Sequence, residues 1–242
     1  MTKQSGLGDG LLFGGYDLSG DTNSVESGGG PAFLDVTAIN VAGRERIGGL
    51  RDGHLKWVSY FNPTRAHPVL AALPTTDVQV AYLRGTGLGA PAACLIGKQP
   101  SYDGKRDDNG NFKFDLDVQA NSYGLEWGIQ LTAGVRADTA GTAGAAVDLG
   151  AAAAFGGQAY LQVLGVTGTS VTVAVEDSAD GSTWAAVTGL TFAAATAVGA
   201  QRLATANTAT IRRYVRATTS GTFTAAAVNV VLNRNEIAGV TF

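Results

Sequence analysis

The chain contains one cysteine, Cys94, so it can form no disulfide within itself. Cys94 lies in the apolar run Ala92-Ala93-Cys94-Leu95-Ile96, a setting that suits a small buried side chain better than a reactive thiol. Histidine is almost as scarce. His54 and His67 are the only two, and with one cysteine they fall short of the three or four ligands that zinc needs. Charged residues make up 15% of the sequence and the formal net charge is -3, so the basic excess of a nucleic-acid binder is missing. Long apolar runs are missing too. Nothing approaches the roughly 20 apolar residues that cross a bilayer, and no membrane partner is expected. The opening Met1-Thr2-Lys3-Gln4-Ser5-Gly6 has no apolar signal segment, and synthesis in the cytoplasm is expected. Catalytic motifs are equally sparse. No Gly-x-x-x-x-Gly-Lys-[Ser/Thr] or Gly-x-Ser-x-Gly occurs, and Gly85-Thr86-Gly87-Leu88-Gly89 departs from the dinucleotide spacing. No enzyme activity and no cofactor are expected.

What the chain does have is glycine, 34 residues of it, within a composition that is 45% hydrophobic and rich in Val, Thr and Ala. Glycine is poor in helix interiors, while Val and Thr suit pleated surfaces. The expected class is therefore all-β and antiparallel, with strands joined by tight turns. The division expected along the chain is an N-terminal arm over 1–31, a β domain over 32–140, a linker over 141–157 and a small β-sandwich over 158–242. Within the arm only Leu11-Leu12-Phe13 and Tyr16-Asp17-Leu18 offer strand material. Three readings stand for it: an arm that orders on a neighbour, a frayed end, or a strand of the domain's own sheet.

In the β domain, Asp52-Gly53 reads as a turn. The strand Leu55–Phe61 carries aromatic groups on both faces, which predicts cover on both sides. Pro63–Pro74 is the one helix candidate, about two turns long, with Val69, Leu70 and Leu73 as its apolar face. Phe112, Phe114, Leu116 and Val118 alternate with Lys113, Asp115, Asp117 and Gln119, the pattern of a half-exposed strand. The Ala/Gly/Thr-rich 133–157 reads as a boundary. Beyond it, short alternating segments with regular turn signals predict the C-terminal sandwich.

Two acidic loops, Asp103/Asp107/Asp108/Asn109 and Asp177/Asp180, invite a Ca²⁺ reading but lack the spacing and closing Glu of an EF-hand. Turn formation, with side chains bonding nearby amides, explains them better. Trp57, Trp127 and Trp184 are core or interface candidates. Trp184, just after the turn Asp177–Thr183, is also a candidate for surface recognition, which makes a glycan-binding sandwich the main rival reading.

Several stretches resemble the major tail tube proteins of long-tailed (siphovirus-type) bacteriophages of actinobacteria. They are Gly29-Gly30-Pro31-Ala32-Phe33-Leu34-Asp35-Val36-Thr37, Glu45-Arg46-Ile47-Gly48-Gly49-Leu50-Arg51-Asp52-Gly53, Tyr60-Phe61-Asn62-Pro63 and Asn121–Gly128 followed by Leu131–Gly134. Glu176–Trp184 is similar to turns of phage β-sandwich modules. The resemblance implies a tail-tube-like sandwich or barrel with a short helix. It also implies a virion protein, made in the host cytoplasm, that forms hexameric rings stacked into a tube through which DNA passes on genome ejection. The implied partners are further copies of the chain, a tape measure protein, a tail terminator and DNA in transit without specific binding. Asp115, Asp117 and Glu126 are the candidates for carboxylates facing the lumen. A head decoration protein or a minor tail protein is the alternative within the same structural class.

Overall fold

A computed structural model describes residues 5–238 of the chain. In chain order the strands are β1 (Gly10–Phe13), β2 (Tyr16–Asp17), β3 (Thr22–Asp35), β4 (Arg46–Tyr60), β5 (Val78–Leu83), β6 (Pro91–Arg106), β7 (Phe112–Ala120), β8 (Glu126–Gln130), β9 (Arg136–Asp138), β10 (Val147–Asp148), β11 (Gly157–Ser178), β12 (Ala185–Thr191), β13 (Gly199–Ala204) and β14 (Tyr214–Arg234). One short helix, α1 (Ala66–Leu70), lies between β4 and β5. The fold is all-β and antiparallel, as the composition implies.

Two compact units interleave along the chain. One comprises the residues up to Gly20, Gln79–Cys94 and those from Trp127 onward; the other is Asp21–Val78 with Leu95–Glu126. The sequence-based division is linear, whereas compaction follows strand pairing. β6 belongs to the first unit as far as Cys94 and to the second from Leu95.

The first unit is built on β11 and β14, antiparallel from Gly157↔Arg234 to Ser178↔Tyr214. Their inward residues, including Leu161, Val171, Val173, Val175, Val228 and Val230, form one core with Leu190, Phe192 and Ile211. The expected linker is tied along β14. β9 and β10 pair with it, and Thr142, Gly144 and Leu149 donate backbone hydrogen bonds to Thr219, Ala217 and Arg213. Small side chains allow this close course: a Cβ on Gly144 would stand 2.6 Å from the Ala217 carbonyl oxygen. β1 is no free arm either. It pairs with β5 and β2, and Leu11, Leu12 and Phe13 are buried.

The second unit is a sheet of four strands in the order β3–β4–β7–β6. Leu55, Trp57, Phe114, Leu116 and Val118 fill one face, joined by Leu70 of α1. Three local expectations change here. Asp52-Gly53 is not a turn but the middle of β4, opposite Gly30 and Gly29. A Cβ on Gly53 would sit 2.5 Å from the Leu125 backbone nitrogen, so the glycine marks a close backbone approach within a strand. β4 is covered on one face only, since Lys56 and Tyr60 are exposed. The helix is a single turn, because Leu73 leaves helical geometry at φ 43° and turns its side chain to solvent.

Candidate assembly surface

All three strand pairs of the second unit are antiparallel, and there are four strands. With an even number, the two outer strands run in opposite directions. One edge is β3, which among the described residues pairs with β4 alone. The other is the far end of β6, where Ser101–Arg106 pairs with β7. An open edge offers unsatisfied N–H and C=O groups to any strand that can lie beside it.

The exposed face of this sheet is polar, and the register orders its side chains into rows. One row holds Glu26, Lys56, Asp117 and Ser101 on successive strands; the next holds Ser24, Val58, Asp115 and Asp103. Together they line a trough of about 470 Å³. Asp103 and Asp115 stand directly opposite each other, a like-charge pair that disfavours closing the trough with further carboxylates. The Gln119 side-chain amide donates to Asp117 at 3.1 Å. His54 lies 3.5 Å from Glu26. Among the described residues, no group of three or more His, Cys, Asp or Glu is arranged to hold a metal ion.

Beyond the His54↔Gln119 pair the sheet thins to two strands. Gly29–Asp35 and Arg46–Gly53 continue as a ribbon for about 24 Å at ~3.4 Å per residue. Its tip is closed by Val36 N–H to the Glu45 carbonyl at 3.0 Å and by Thr37, whose hydroxyl donates to Asp35 and accepts from the Glu45 N–H. Almost every ribbon residue is exposed. They include Phe33, Leu34, Val36, Val41 and Ile47, with Leu50 at 87% and Ile39 fully open. By register Leu34 and Ile47 share one face and Phe33 lies on the other, while Leu50 falls in the bulge opposite Ala32. A two-stranded ribbon has no core of its own and is marginal alone, and so large an apolar display marks an interaction surface.

The residues singled out from sequence fall in different places. Asp115 and Asp117 lie together on the polar face, the first exposed and the second half-buried. Glu126 does not join them: it is 2% exposed, so its side chain faces no open channel surface. β8 opens with the Glu126 side chain on its buried face, while Trp127 beside it is 48% exposed. Trp184 is half-buried, and the Arg216 guanidinium covers one face of its ring at 4.1 Å while pairing with Glu176 at 2.7 Å. Its stacking surface on that side is occupied by the chain itself. The acidic loops act as turns. Asp107 accepts from the Asn111 backbone, and Asp180 accepts from the Ser182 and Thr183 amides, which hold its carboxyl well below the usual range. Sequence reading missed the ribbon. Its signal is the concentration of Phe, Leu, Ile and Val around Gly28-Gly29-Gly30, a stretch that resembles loop when read by glycine content alone.

The open edges, the polar trough and the apolar ribbon all belong to one antiparallel sheet. No family model matches the sequence, and no curated protein matches it. Among solved structures the chain is similar to one from the virion of a native gene transfer agent particle, with 13% identity, a TM-score of 0.42, and 51% of this chain and 98% of that one covered. It is similar to a chain from the tail of an empty gene transfer agent particle refined with C6 symmetry, with 19% identity, a TM-score of 0.38, and 50% and 96% covered. It is also similar to the Dit protein of SPP1, described as a hub adsorption apparatus of phages infecting Gram-positive hosts. There the identity is 12%, the TM-score 0.38, and the coverage 93% and 98%.

Proposed function

We propose that the chain is a non-enzymatic structural subunit of a bacteriophage tail that assembles into closed rings. The observation that carries this reading is the even, all-antiparallel sheet with two open edges. When β3 of one copy lies beside Ser101–Arg106 of the next, the new pair is again antiparallel, and the same contact repeats until the ring closes. A closed barrel has no edge left to aggregate. The sequence resemblance to tail tube proteins supports six copies per ring.

In such a ring the trough face turns inward. Glu26, Asp103, Asp115 and Asp117 outnumber Lys56 there, and a wall of carboxylates repels phosphate and lets DNA slide without adhering. Stacked rings then form the tube. The resemblance supports a tape measure protein inside it and a terminator at its end, with the virion tail as its location.

Native mass spectrometry of the purified protein tests the ring. One closed oligomer, with few open intermediates, is the expected result. A two-fold dimer or a monomer at every concentration overturns it.

A further inference from the structure

Of the three tryptophans, Trp57 is buried and Trp184 has a ring face covered by the Arg216 guanidinium, but Trp127 is 48% exposed. A tryptophan is usually mostly buried. Trp127 stands on β8, which pairs with β14 at Ile129↔Leu232 and Gln130↔Val231. Continued by two residues, that register sets Trp127 beside Arg234. The strands are close: a Cβ on Gly128 would stand 2.5 Å from the Leu232 carbonyl oxygen, so β8 has no room to shift against β14. Ile129 and Leu232 belong to the core of the first unit, and Trp127 continues the Ile129 face out to solvent. There it lines a pocket of about 190 Å³ together with Pro91, Leu149, Arg234 and Glu236.

The polar side of this pocket is a held carboxylate. Arg234 donates to Glu236 Oε1 from Nε at 2.9 Å and from Nη2 at 2.7 Å. It also donates to the Ala151 and Leu149 carbonyls, and its side chain is 8% exposed. The Glu236 side chain is 64% exposed, and both bonds from Arg234 fall on one of its oxygens, so the other can accept from a ligand. We infer that this pocket binds one pyranose ring of a glycan, with a C–H face of the sugar on the Trp127 indole and its hydroxyls donating to Glu236. Three features select that ligand. The indole offers a flat apolar face whose negative charge density attracts C–H groups. Arg234 offsets the charge of Glu236, which favours a neutral ligand over the cation that an aromatic ring beside an unpaired carboxylate would draw. The volume is below the ~300 Å³ of the smallest drug-sized sites, which suits a single ring. All of these residues belong to the first unit, and the inference does not rest on ring assembly.

Saturation-transfer difference NMR on the full chain tests this, with the methyl pyranosides of glucose, galactose, mannose and N-acetylglucosamine as probes. The method reads the protons of the ligand, so it serves single chains and assemblies alike. At least one pyranoside should give a saturable signal, strongest on the C–H protons of one ring face, with a Kd on the order of millimolar. Trp127→Ala should weaken binding at least about tenfold, and Glu236→Ala by about tenfold, the usual cost of a hydrogen bond to a charged group. Trp184→Ala should leave the signal unchanged, and Trp127→Phe, which keeps a ring, should retain most of it. Thermal unfolding of each variant verifies that it folds. No saturable signal from any of these probes up to about 50 mM overturns the inference. So does a signal that survives Trp127→Ala or is lost in Trp184→Ala, and so does displacement of the sugar by tetramethylammonium, which marks a cation site instead.

Discussion

At the scale of single residues, two glycines of β4 separate close backbone approach from free space. A Cβ on Gly53 meets the Leu125 backbone nitrogen at 2.5 Å, whereas one on Gly48 has nothing within 4 Å. Gly53→Ala should lower stability by ~1–3 kcal/mol, the usual penalty of overpacking, while Gly48→Ala should stay within ~0.5 kcal/mol. Denaturant midpoints of the two variants make the comparison. Asp138 is buried and accepts from Arg136 at 2.9 Å and from the Thr219 hydroxyl at 2.6 Å. Asp138→Ala leaves a mostly buried guanidinium unpaired and should cost ~3–5 kcal/mol, read from the same unfolding curves.

Asp148 titrates differently from an ordinary carboxyl. Hydrogen bonds from Arg213, and then from the Gly150 amide, lower its pKa from 3.8 to about 2. A carboxyl depressed in the folded state adds stability above its unfolded pKa and loses it as pH falls through the folded one. The thermal stability difference between the native chain and Asp148→Asn should therefore be present at pH 5 and shrink between 3.8 and about 2. A difference that stays constant across that window contradicts the assignment.

Among elements, the ribbon is the one whose shape its own unit does not explain. Replacing residues 36–45 by a two-residue Asn-Gly turn should leave the melting temperature of the isolated chain nearly unchanged, since the tip packs on nothing. Light scattering should show its self-association lowered, because the exposed apolar side chains of the tip are removed.

The strands that could be read in advance were those with alternation. Phe114, Leu116 and Val118 are buried against exposed or half-buried Lys113, Asp115 and Asp117, as the period-two pattern requires. The valines at 171, 173 and 175 likewise point into the sandwich core. Elements hidden in small residues could not be read. Gly28-Gly29-Gly30 sits inside β3, and 136–156 runs along β14 and the 209–213 stretch before it, because glycine and alanine permit a close approach that only the tertiary partner specifies. Asp-Gly is a turn signal when both residues are free to turn. Here Gly53 is held extended between β3 and Leu125. The place of Asp115 and Asp117 on the polar face was legible through alternation, but the burial of Glu126 depended on what covers the start of β8.

For the whole molecule, the proposal rests on one four-stranded sheet whose two open edges run in opposite directions. In the proposed assembly, edge pairing closes a ring. That contact is heterologous, so copies close into a ring where the rotation between them allows it. The most direct test is electron microscopy of the purified protein over a concentration series, with reconstruction of whatever forms. The account predicts stacked rings with a continuous inner barrel in which β3 of each copy runs antiparallel to β6 of its neighbour and Asp115 faces the channel. Uniform small particles at the highest concentration, or rings in which β3 lies against another β3, would contradict it.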